Sequence, residues 1–471
     1  MKYLSETQSV CPVCFKPLKA RYTEHDGKVY IEKECPDHGS FKALVADDAD
    51  DYLNWVKNPV INIPPKRAMI KAGDTSGAGT SGAGGQTGAG SSCPLNCGIC
   101  DNHLQTACCV LIDITERCNQ HCPYCFARAD EKDFSGYEPT LEELDRKFDL
   151  LLELGEEERP FNIQLSGGEP TVRDDLPEII KIAKSKGFEY VQINTNGRRL
   201  AREEGYAEIL KASGASVIFM QFDGTTDEIY MQMRGEPLLS EKKQAIENCR
   251  KAGLPVTLVP TVARHVNLDN IGEMMDFMIK NVAVVKGIHF QPVSFFGRHP
   301  DPHHENRVTM FDVLRELEKQ TDYFKYDDYA PIATGHTLCC FYSTYIKEPD
   351  GSVRCTLTKA KKEAGISCCD TEAGKIDVIK KDRDFVLNKW EVASRGEEEK
   401  SDWSRYKSST EILDLIDFLT YYKQNTFTVT GMAFQDLSNL DAERVKRCRV
   451  QVLSEDDRLI PFCAYNSIYR K

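Results

Sequence analysis

Three cysteines in one short loop, Cys118, Cys122 and Cys125, are the residues of this 471-residue chain best suited to chemistry. They stand in the stretch CNQHCPYC, directly after residues 110–114, an apolar run typical of a β-strand. Three thiolates cannot supply all four ligands of a [4Fe–4S] cluster, so one iron would stay open to a small chelating molecule. On spacing alone, a structural zinc site or a four-thiolate electron-transfer cluster remains an alternative.

A separate metal site is indicated near the N-terminus. Cys11, Cys14, Cys35 and His38 lie in two knuckles, CPVC and CPDH, which are joined by a short segment of alternating polarity. Three sulfurs and one imidazole suit a tetrahedral ion, and a module this small needs a metal in order to fold. We expect residues 1–68 to form a small metal-binding module that holds one zinc or one iron.

A Gly/Ala/Ser-rich stretch follows at 69–92 and is typical of a flexible linker. Directly after it, the stretch CPLNCGIC repeats the C-x3-C-x2-C spacing with Cys93, Cys97 and Cys100. No strand-like run precedes this copy, so we interpret residues 93–109 as an auxiliary Fe–S segment whose fourth ligand comes from elsewhere. The chain has 19 cysteines, an odd number that argues against a pure disulfide framework.

Composition limits the partners and the compartment. The net charge of −13 argues against nucleic-acid binding, since phosphate contacts need a basic surface. No apolar run approaches the roughly 20 residues that span a bilayer, and the first residues, MKYLSETQSV, have no hydrophobic signal core. We therefore expect a cytoplasmic protein without a transmembrane segment.

Strand-like and helical patterns alternate between residues 110 and 298. The strand-like runs are 110–114, 161–166, 189–194, 216–222, 256–262 and 286–292. This alternation predicts an α/β fold, a partial (β/α)6 barrel whose ligand chemistry collects at the carboxyl ends of the strands. For residues 299–471 we predict a distinct α+β, cysteine-rich region with a helix near 408–423 and short strands at 426–430, 447–453 and 459–463.

Small and polar residues follow several of these strands. The second ends in SGGEP, where Gly167 and Gly168 would let backbone groups approach a ligand, and the third ends in NTNG. Beyond the fourth lies Arg234, a candidate clamp for a carboxylate. Each of these is also an ordinary turn signal when it is taken alone. Their recurrence at successive strand ends favours a binding site.

CNQHCPYC followed by SGGEP resembles the radical S-adenosylmethionine (SAM) superfamily, over residues 110–292. The resemblance implies that Cys118, Cys122 and Cys125 hold a [4Fe–4S] cluster whose open iron binds SAM. It further implies a set of cofactor contacts: Gly167, Gly168 and Glu169 at the methionine moiety, Tyr124 near the adenine, and Asn194 and Thr195.

A narrower resemblance covers nearly the whole chain. CPVC with CPDHG, CPLNCGIC, HFQPVSFFGR and the closing RCRVQVLSEDDRLIPFCAYN are similar to the group that contains tetraether lipid synthase and the radical methylase implicated in methanopterin biosynthesis. GMAFQDLSNLD is also similar to radical SAM (seleno)protein TrsS. The group implies a rubredoxin-like mononuclear site and auxiliary [4Fe–4S] clusters, of which we expect one or two. Cys448 and Cys463 match its closing motif, and we expect them to hold a second auxiliary cluster with Cys339 or Cys340 and Cys355 as partners.

The resemblance also implies the chemistry. SAM would be cleaved to a 5′-deoxyadenosyl radical that takes hydrogen from an unactivated carbon, and a carbon–carbon bond would follow. That bond would couple lipid alkyl chains or methylate a pterin-like substrate, with ferredoxin or flavodoxin as reductant. A lipid substrate would place the protein at the membrane surface. The competing class is a multi-cluster electron-transfer or maturation protein without radical chemistry, which leaves the GGEP turn and the three-ligand loop unexplained.

Overall fold

The computed structural model describes residues 1–67, 93–129, 136–155, 162–300, 306–357 and 421–470. The predicted linker at 69–92 lies outside the described residues. So does the predicted helix near 408–423, up to residue 420.

The N-terminal module is a four-stranded antiparallel sheet in the order β1-β2-β3-β4. Its elements are β1 Lys2–Val10, β2 Pro17–His25, β3 Lys28–Cys35 and β4 Gly39–Ala46, followed by helix α1 Ala49–Val56. Asp26 and Gly27 both have positive φ at the turn between β2 and β3, which matches the right-handed twist of a tight hairpin. The residues of the predicted metal site lie at the other two connections, between β1 and β2 and between β3 and β4.

A second, larger sheet contains the other strands. They are β5 Cys109–Thr115, β6 Asn162–Gly167, β7 Val191–Thr195, β8 Val217–Gln221, β9 Val256–Val259, β10 Thr261–Val262, β11 Val285–Pro292, β12 Cys340–Lys347, β13 Val353–Cys355, β14 Thr426–Met432, β15 Val450–Leu453 and β16 Leu459–Pro461. Their order is β13-β12-β14-β11-β9-β8-β7-β6-β5-β15-β16, with β10 beside β11. The predicted parallel α/β core is confirmed, because β5 through β11 pair in parallel. Pro260 divides the fifth predicted strand into β9 and β10, since it has no N–H for the ladder.

The C-terminal strands continue this sheet instead of forming a separate one. β14 pairs in parallel with β11, and β15 pairs in parallel with β5. β12, β13 and β16 then add antiparallel strands at the edges. Without them, the outer parallel strands β5 and β11 would expose unpaired backbone N–H and C=O groups, and the C-terminal strands pair with these groups. The predicted boundary at residue 298 therefore does not divide the sheet.

Helices separate the parallel strands and cover the outer face of the sheet. They are α2 Leu141–Leu154, α3 Leu176–Ser185, α4 Arg198–Arg202, α5 Tyr206–Ser213, α6 Asp227–Arg234, α7 Leu239–Lys251, α8 Ile271–Lys280 and α9 Met310–Gln320, with the short α10 Ala442–Lys446 and α11 Phe462–Ala464 near the C-terminus. In α2 the sequence signal is clear, because Thr140 and Glu143 form a capping box and Leu144, Phe148 and Leu151 are buried. None of the helices in the described ranges combines the length and the apolar character needed to cross a bilayer.

Candidate active site

The three cysteines of the predicted radical site lie on the wall of one cavity of about 320 Å³ at the carboxyl ends of the parallel strands. The segment after β11 holds their loop in place. Cys125 and Arg298 exchange two backbone hydrogen bonds, of 2.9 and 2.8 Å. Gly297 has φ +71°, and a Cβ there would lie 2.3 Å from the Cys125 carbonyl oxygen. A glycine is therefore required at 297 for this segment to clamp the loop.

The thiols of this loop fit the predicted cluster. Cys118 and Cys122 are buried, and burial raises the pKa of each thiol. The charge of Glu169 raises the pKa of Cys118 further, whereas Arg234 opposes the rise at Cys122. Metal ligation would remove these thiol protons. Two buried thiols and the half-buried thiol of Cys125 beside open cavity space match a cluster with one iron free for a chelating cofactor.

The paired glycines of SGGEP line the cavity and also pack against the backbone that leads to the cysteine loop. A Cβ on Gly167, which has φ +130°, would lie 2.0 Å from the Thr115 carbonyl oxygen. A Cβ on Gly168 would lie 2.3 Å from that of Arg117. The close approach that excludes a side chain at both positions is therefore to the backbone that runs from Thr115, the last residue of β5, to the cysteine loop. The predicted contact of these glycines with a ligand stays a prediction. Backbone bonds of 2.8 Å from Gly168 to Thr115 and from Glu169 to Arg117 complete this contact.

Glu169 is buried, and its carboxylate is bonded within the protein. It accepts hydrogen bonds from the Thr171 amide and hydroxyl at 3.0 and 2.6 Å. It also accepts from the Thr195 hydroxyl and the Asn196 amide, both at 2.6 Å. The carboxylate thus joins the turn after β6 to the end of β7, and it also lines the cavity together with Thr195 and Asn194.

Arg234 was predicted to bind the carboxylate of a ligand, but its guanidinium is bonded to a carboxylate of the protein. Its guanidinium forms a bidentate ion pair with the buried Asp223, with both bonds at 2.7 Å. Nη1 donates to the Tyr124 carbonyl oxygen at 2.7 Å. The prediction failed because the carboxylate that Arg234 binds is a side chain eleven residues earlier. Arg234 thus supports the backbone of the cysteine loop, and both Arg234 and Tyr124 line the cavity. Tyr124 also packs against the apolar cluster that contains Met233.

Inward-facing side chains of the barrel strands form the rest of the cavity wall. The polar members include Gln164, Asn194, Gln221, His289 and Gln291, and the apolar members include Leu111, Phe219, Met432, Phe434, Val450 and Phe462. Of these polar residues, only Asn194 was predicted from the sequence as a site residue. Their signal was polar residues at a spacing of two within otherwise buried strands, as in His289-Phe290-Gln291, because alternate residues face the barrel interior.

The N-terminal site is assembled as predicted. The ligand atoms of Cys11, Cys14, Cys35 and His38 all lie within 4.8 Å of one another. The Sγ atoms of Cys14 and Cys35 are 3.8 Å apart, and His38 Nδ1 is 3.5 Å from Cys35 Sγ. A tetrahedron with metal–sulfur bonds of about 2.3 Å has edges of about 3.8 Å, so this donor set fits one zinc or one iron.

The auxiliary cysteines interact electrostatically in overlapping sets: Cys97 with Cys93, Cys100 and Cys448, and Cys448 with Cys339 and Cys463. A hydrogen bond with Cys93, together with burial, raises the pKa of Cys97 well above its usual value, and Cys448 adds to the rise. Burial and the charges of Cys463 and Cys339 raise the pKa of Cys448 in the same way. Arg444 Nε lies 3.4 Å from the Cys339 sulfur and supplies positive charge there.

Cys355 does not join this group, which corrects the prediction that it shares a cluster with Cys448 and Cys463. In the β12–β13 hairpin it pairs with Tyr345, five residues along the strand from Cys340. At about 3.4 Å per residue this is a separation of about 17 Å, too long for one cluster. The Cys355 sulfur instead lies 3.5 Å from the Ser343 hydroxyl oxygen.

This arrangement of a partial parallel barrel and a three-cysteine loop defines a class of enzyme. The chain belongs to the radical SAM superfamily, which residues 112–278 match, and residues 3–47 match the HMPTM N-terminal zinc ribbon domain. Over 99% of its length it is 34% identical to 7,8-dihydro-6-hydroxymethylpterin dimethyltransferase of Methanocaldococcus jannaschii, 94% of which it covers. The recognition from sequence is confirmed, and the chain is a radical SAM enzyme with a [4Fe–4S] cluster and SAM as cofactors.

Two further similarities each cover less than half of the chain. The probable GTP 3′,8-cyclase of Methanothermobacter marburgensis is 32% identical over 40% of this chain and 58% of its own length. Among solved structures, SuiB of Streptococcus suis bound to S-adenosylmethionine matches 47% of this chain and 48% of its own, with 16% identity and a TM-score of 0.38.

Proposed function

We propose that this enzyme adds methyl groups to carbon atoms of a reduced pterin. The proposal is supported by the similarity to the pterin dimethyltransferase, which extends beyond the barrel to the zinc ribbon and to the C-terminal cysteines. The observation that carries it is the cavity beside Cys118, Cys122 and Cys125, where amide side chains stand next to aromatic rings.

This cavity suits a pterin better than a lipid alkyl chain, the other substrate considered for this group. Gln164, Asn194, Gln221 and Gln291 place hydrogen-bonding groups on the cavity wall. Asn194 and Gln221 already have partners within the protein, and an alkyl chain would bring no hydrogen-bonding group to the capacity that these amides keep. A planar heterocycle with N–H and C=O groups at its edge would pair with them, while the ring of Phe219 would contact its face.

The residues around the cavity would have separate roles in this reaction. When bound, the cluster and SAM would supply a carbon-centred radical that removes hydrogen from the substrate, and a second SAM molecule would donate the methyl group, with one further electron from the reductant to complete the bond. Cys118, Cys122 and Cys125 would hold the cluster, and the GGEP turn would hold their loop against β5. The amides of the barrel would orient the pterin, and the enclosed barrel would keep water and other carbon–hydrogen bonds away from the reacting centre.

We propose further metal centres from the donor groups. The set of Cys11, Cys14, Cys35 and His38 would hold zinc. Cys93, Cys97 and Cys100, with Cys448 as fourth ligand, would hold an auxiliary [4Fe–4S] cluster, and Cys339 and Cys463 would stand beside it. An external one-electron donor such as ferredoxin or flavodoxin would reduce the radical-site cluster.

The test is anaerobic turnover of the iron-loaded protein with SAM, a chemical reductant and 7,8-dihydro-6-hydroxymethylpterin, followed by mass spectrometry. We expect 5′-deoxyadenosine together with pterin products that carry one or two added methyl groups. Replacing Cys118, Cys122 and Cys125 by alanine should abolish the release of 5′-deoxyadenosine. The matched control for these cysteine variants is Cys249→Ala, at a buried cysteine in α7, and it should keep its iron and its turnover.

Two results would contradict the proposal in different ways. Alkyl-chain products from a lipid mixture, with the pterin unchanged, would favour the lipid-coupling alternative. Clusters that exchange electrons without any release of 5′-deoxyadenosine would favour the electron-transfer alternative.

A further inference from the structure

His289 stands in the middle of β11, and its side chain lines the cavity. Its backbone partner on β14 is Thr430. The two side chains also meet, because His289 Nδ1 lies 2.8 Å from the Thr430 hydroxyl oxygen. The imidazole is thus attached to the sheet through Nδ1, which leaves Nε2 as the nitrogen that can reach a ligand.

The contacts of Thr430 favour one tautomer of His289. The Thr430 hydroxyl can donate its single hydrogen to the Ile288 carbonyl oxygen, 3.3 Å away, and accept from His289 Nδ1 at 2.8 Å. Both contacts are hydrogen bonds only when Nδ1 carries the proton, and this makes Nε2 an acceptor. Burial lowers the pKa of His289 to about 4, and the ring is therefore neutral near pH 7. No residue in the described part of the chain is bonded to Nε2.

A flat apolar surface stands next to this acceptor. The Phe219 ring on β8 has its centroid 5.7 Å from that of the imidazole, and the two rings are inclined by 45°. Phe219 also lines the cavity. A hydrogen-bond acceptor beside an aromatic face recognises a planar ring that carries an N–H at its edge. An alkyl chain offers neither feature.

We propose that His289 Nε2 accepts a hydrogen bond from an N–H group of the pterin, whose ring packs on Phe219. The inference rests on the proposed function and identifies the residue that recognises the substrate. Thr430 is a positioning residue here, since it fixes the tautomer that makes Nε2 an acceptor. A ligand without an N–H at this edge would leave Nε2 buried and unpaired, and this is the source of the selectivity.

The test measures binding separately from turnover. 7,8-Dihydro-6-hydroxymethylpterin is titrated by fluorescence into the anaerobic, iron-loaded full-length protein with SAM present. His289→Phe keeps a ring of similar shape but has no acceptor, and we expect it to weaken binding by about 10-fold or more. His289→Gln retains an acceptor and should stay within a few-fold of wild type. Thr430→Val should weaken binding moderately, whereas its neighbour control Thr428→Val should not.

Each outcome has a defined meaning. Unaltered pterin affinity in His289→Phe, with SAM binding and iron content like wild type, would overturn the role of His289 and leave the proposed function standing. If His289→Phe fails to fold, equal affinity of wild type, Thr430→Val and Thr428→Val overturns the tautomer argument. A wild-type protein that cleaves SAM but binds no dihydropterin would overturn the proposed function, and this inference with it.

Discussion

At the scale of single residues, a buried ion pair underlies the cysteine loop. Asp223 is fully buried and its carboxylate is held by the guanidinium of Arg234, which in turn binds the Tyr124 carbonyl oxygen between two of the cysteines. Removing one member of such a pair leaves an uncompensated charge in the interior, at a cost of about 3–5 kcal/mol. The pair therefore stabilises the loop only as a unit.

We accordingly predict that Asp223→Asn and Arg234→Gln each lower the free energy of unfolding by about 3–5 kcal/mol, and that the double variant loses less than their sum. Anaerobic chemical denaturation and iron content measure the effect. The exposed pair Arg250 and Glu247 supplies the control, since Arg250→Gln should cost less than about 1 kcal/mol. Equal losses in Asp223→Asn and Arg250→Gln would contradict this account.

Residue types and spacing were sufficient to find the ligands of the N-terminal site, because all four lie on two knuckles of one small module. They were insufficient for Cys355 and Arg234. The place of Cys355 depends on the register of a hairpin, which the spacing of cysteines does not encode. The partner of Arg234 depends on how the turn before α6 folds back, which brings Asp223 to the guanidinium.

At the scale of elements, the turn after β6 fixes the cysteine loop by backbone packing. The structure leaves no room for a Cβ at Gly167, whose nearest neighbour would be a carbonyl oxygen of β5. A carbonyl oxygen in a buried strand cannot move aside as a flexible side chain can. The position of the radical site thus depends on a contact between two strands.

Gly167→Ala should lower the free energy of unfolding by about 4 kcal/mol or more and reduce the iron bound at the loop. Gly187→Ala is the matched control, because Gly187 also has positive φ, +98°, but nothing lies within 4 Å of its Cβ position. That variant should cost only about 1–2 kcal/mol, the price of the left-handed backbone. Similar losses in the two variants would show that φ alone, and not the packing on β5, requires glycine at 167.

The alternation of strands and helices predicted β5 through β11 because each strand is a local run of buried residues. It did not predict that β14 and β15 would extend the same sheet. β15 pairs with β5, which lies more than 300 residues earlier, and the pattern of a strand does not name its partner. The C-terminal region was for this reason expected to be separate.

At the scale of the whole molecule, the N-terminal metal module packs on the segment that leads to the auxiliary cysteines. Asp441 accepts hydrogen bonds from the hydroxyls of Thr7 and Tyr22, and it also caps α10 through the Glu443 amide. Lys33 donates to the Leu437 carbonyl oxygen at 2.6 Å. The module therefore packs against the segment that directly precedes Cys448.

Asp441→Ala should loosen this contact, because it removes a helix cap worth about 1 kcal/mol and leaves two hydroxyls unpaired. We expect faster amide hydrogen exchange in residues 2–10 and 437–446, with the zinc retained. Asp37→Ala, which removes an exposed ion pair with Lys16 on the same module, should leave the exchange unchanged. Unchanged exchange in Asp441→Ala would mean that the contact does not stabilise the segment.

The measurement that tests the account most directly is the release of 5′-deoxyadenosine by two triple variants under anaerobic reduction with SAM. With Cys118, Cys122 and Cys125 all replaced by alanine, we predict no release above background. With Cys93, Cys97 and Cys100 replaced instead, SAM cleavage should persist at the intact loop. Release that survives in the first variant and disappears in the second would place the radical site at the other copy of the spacing and contradict the account.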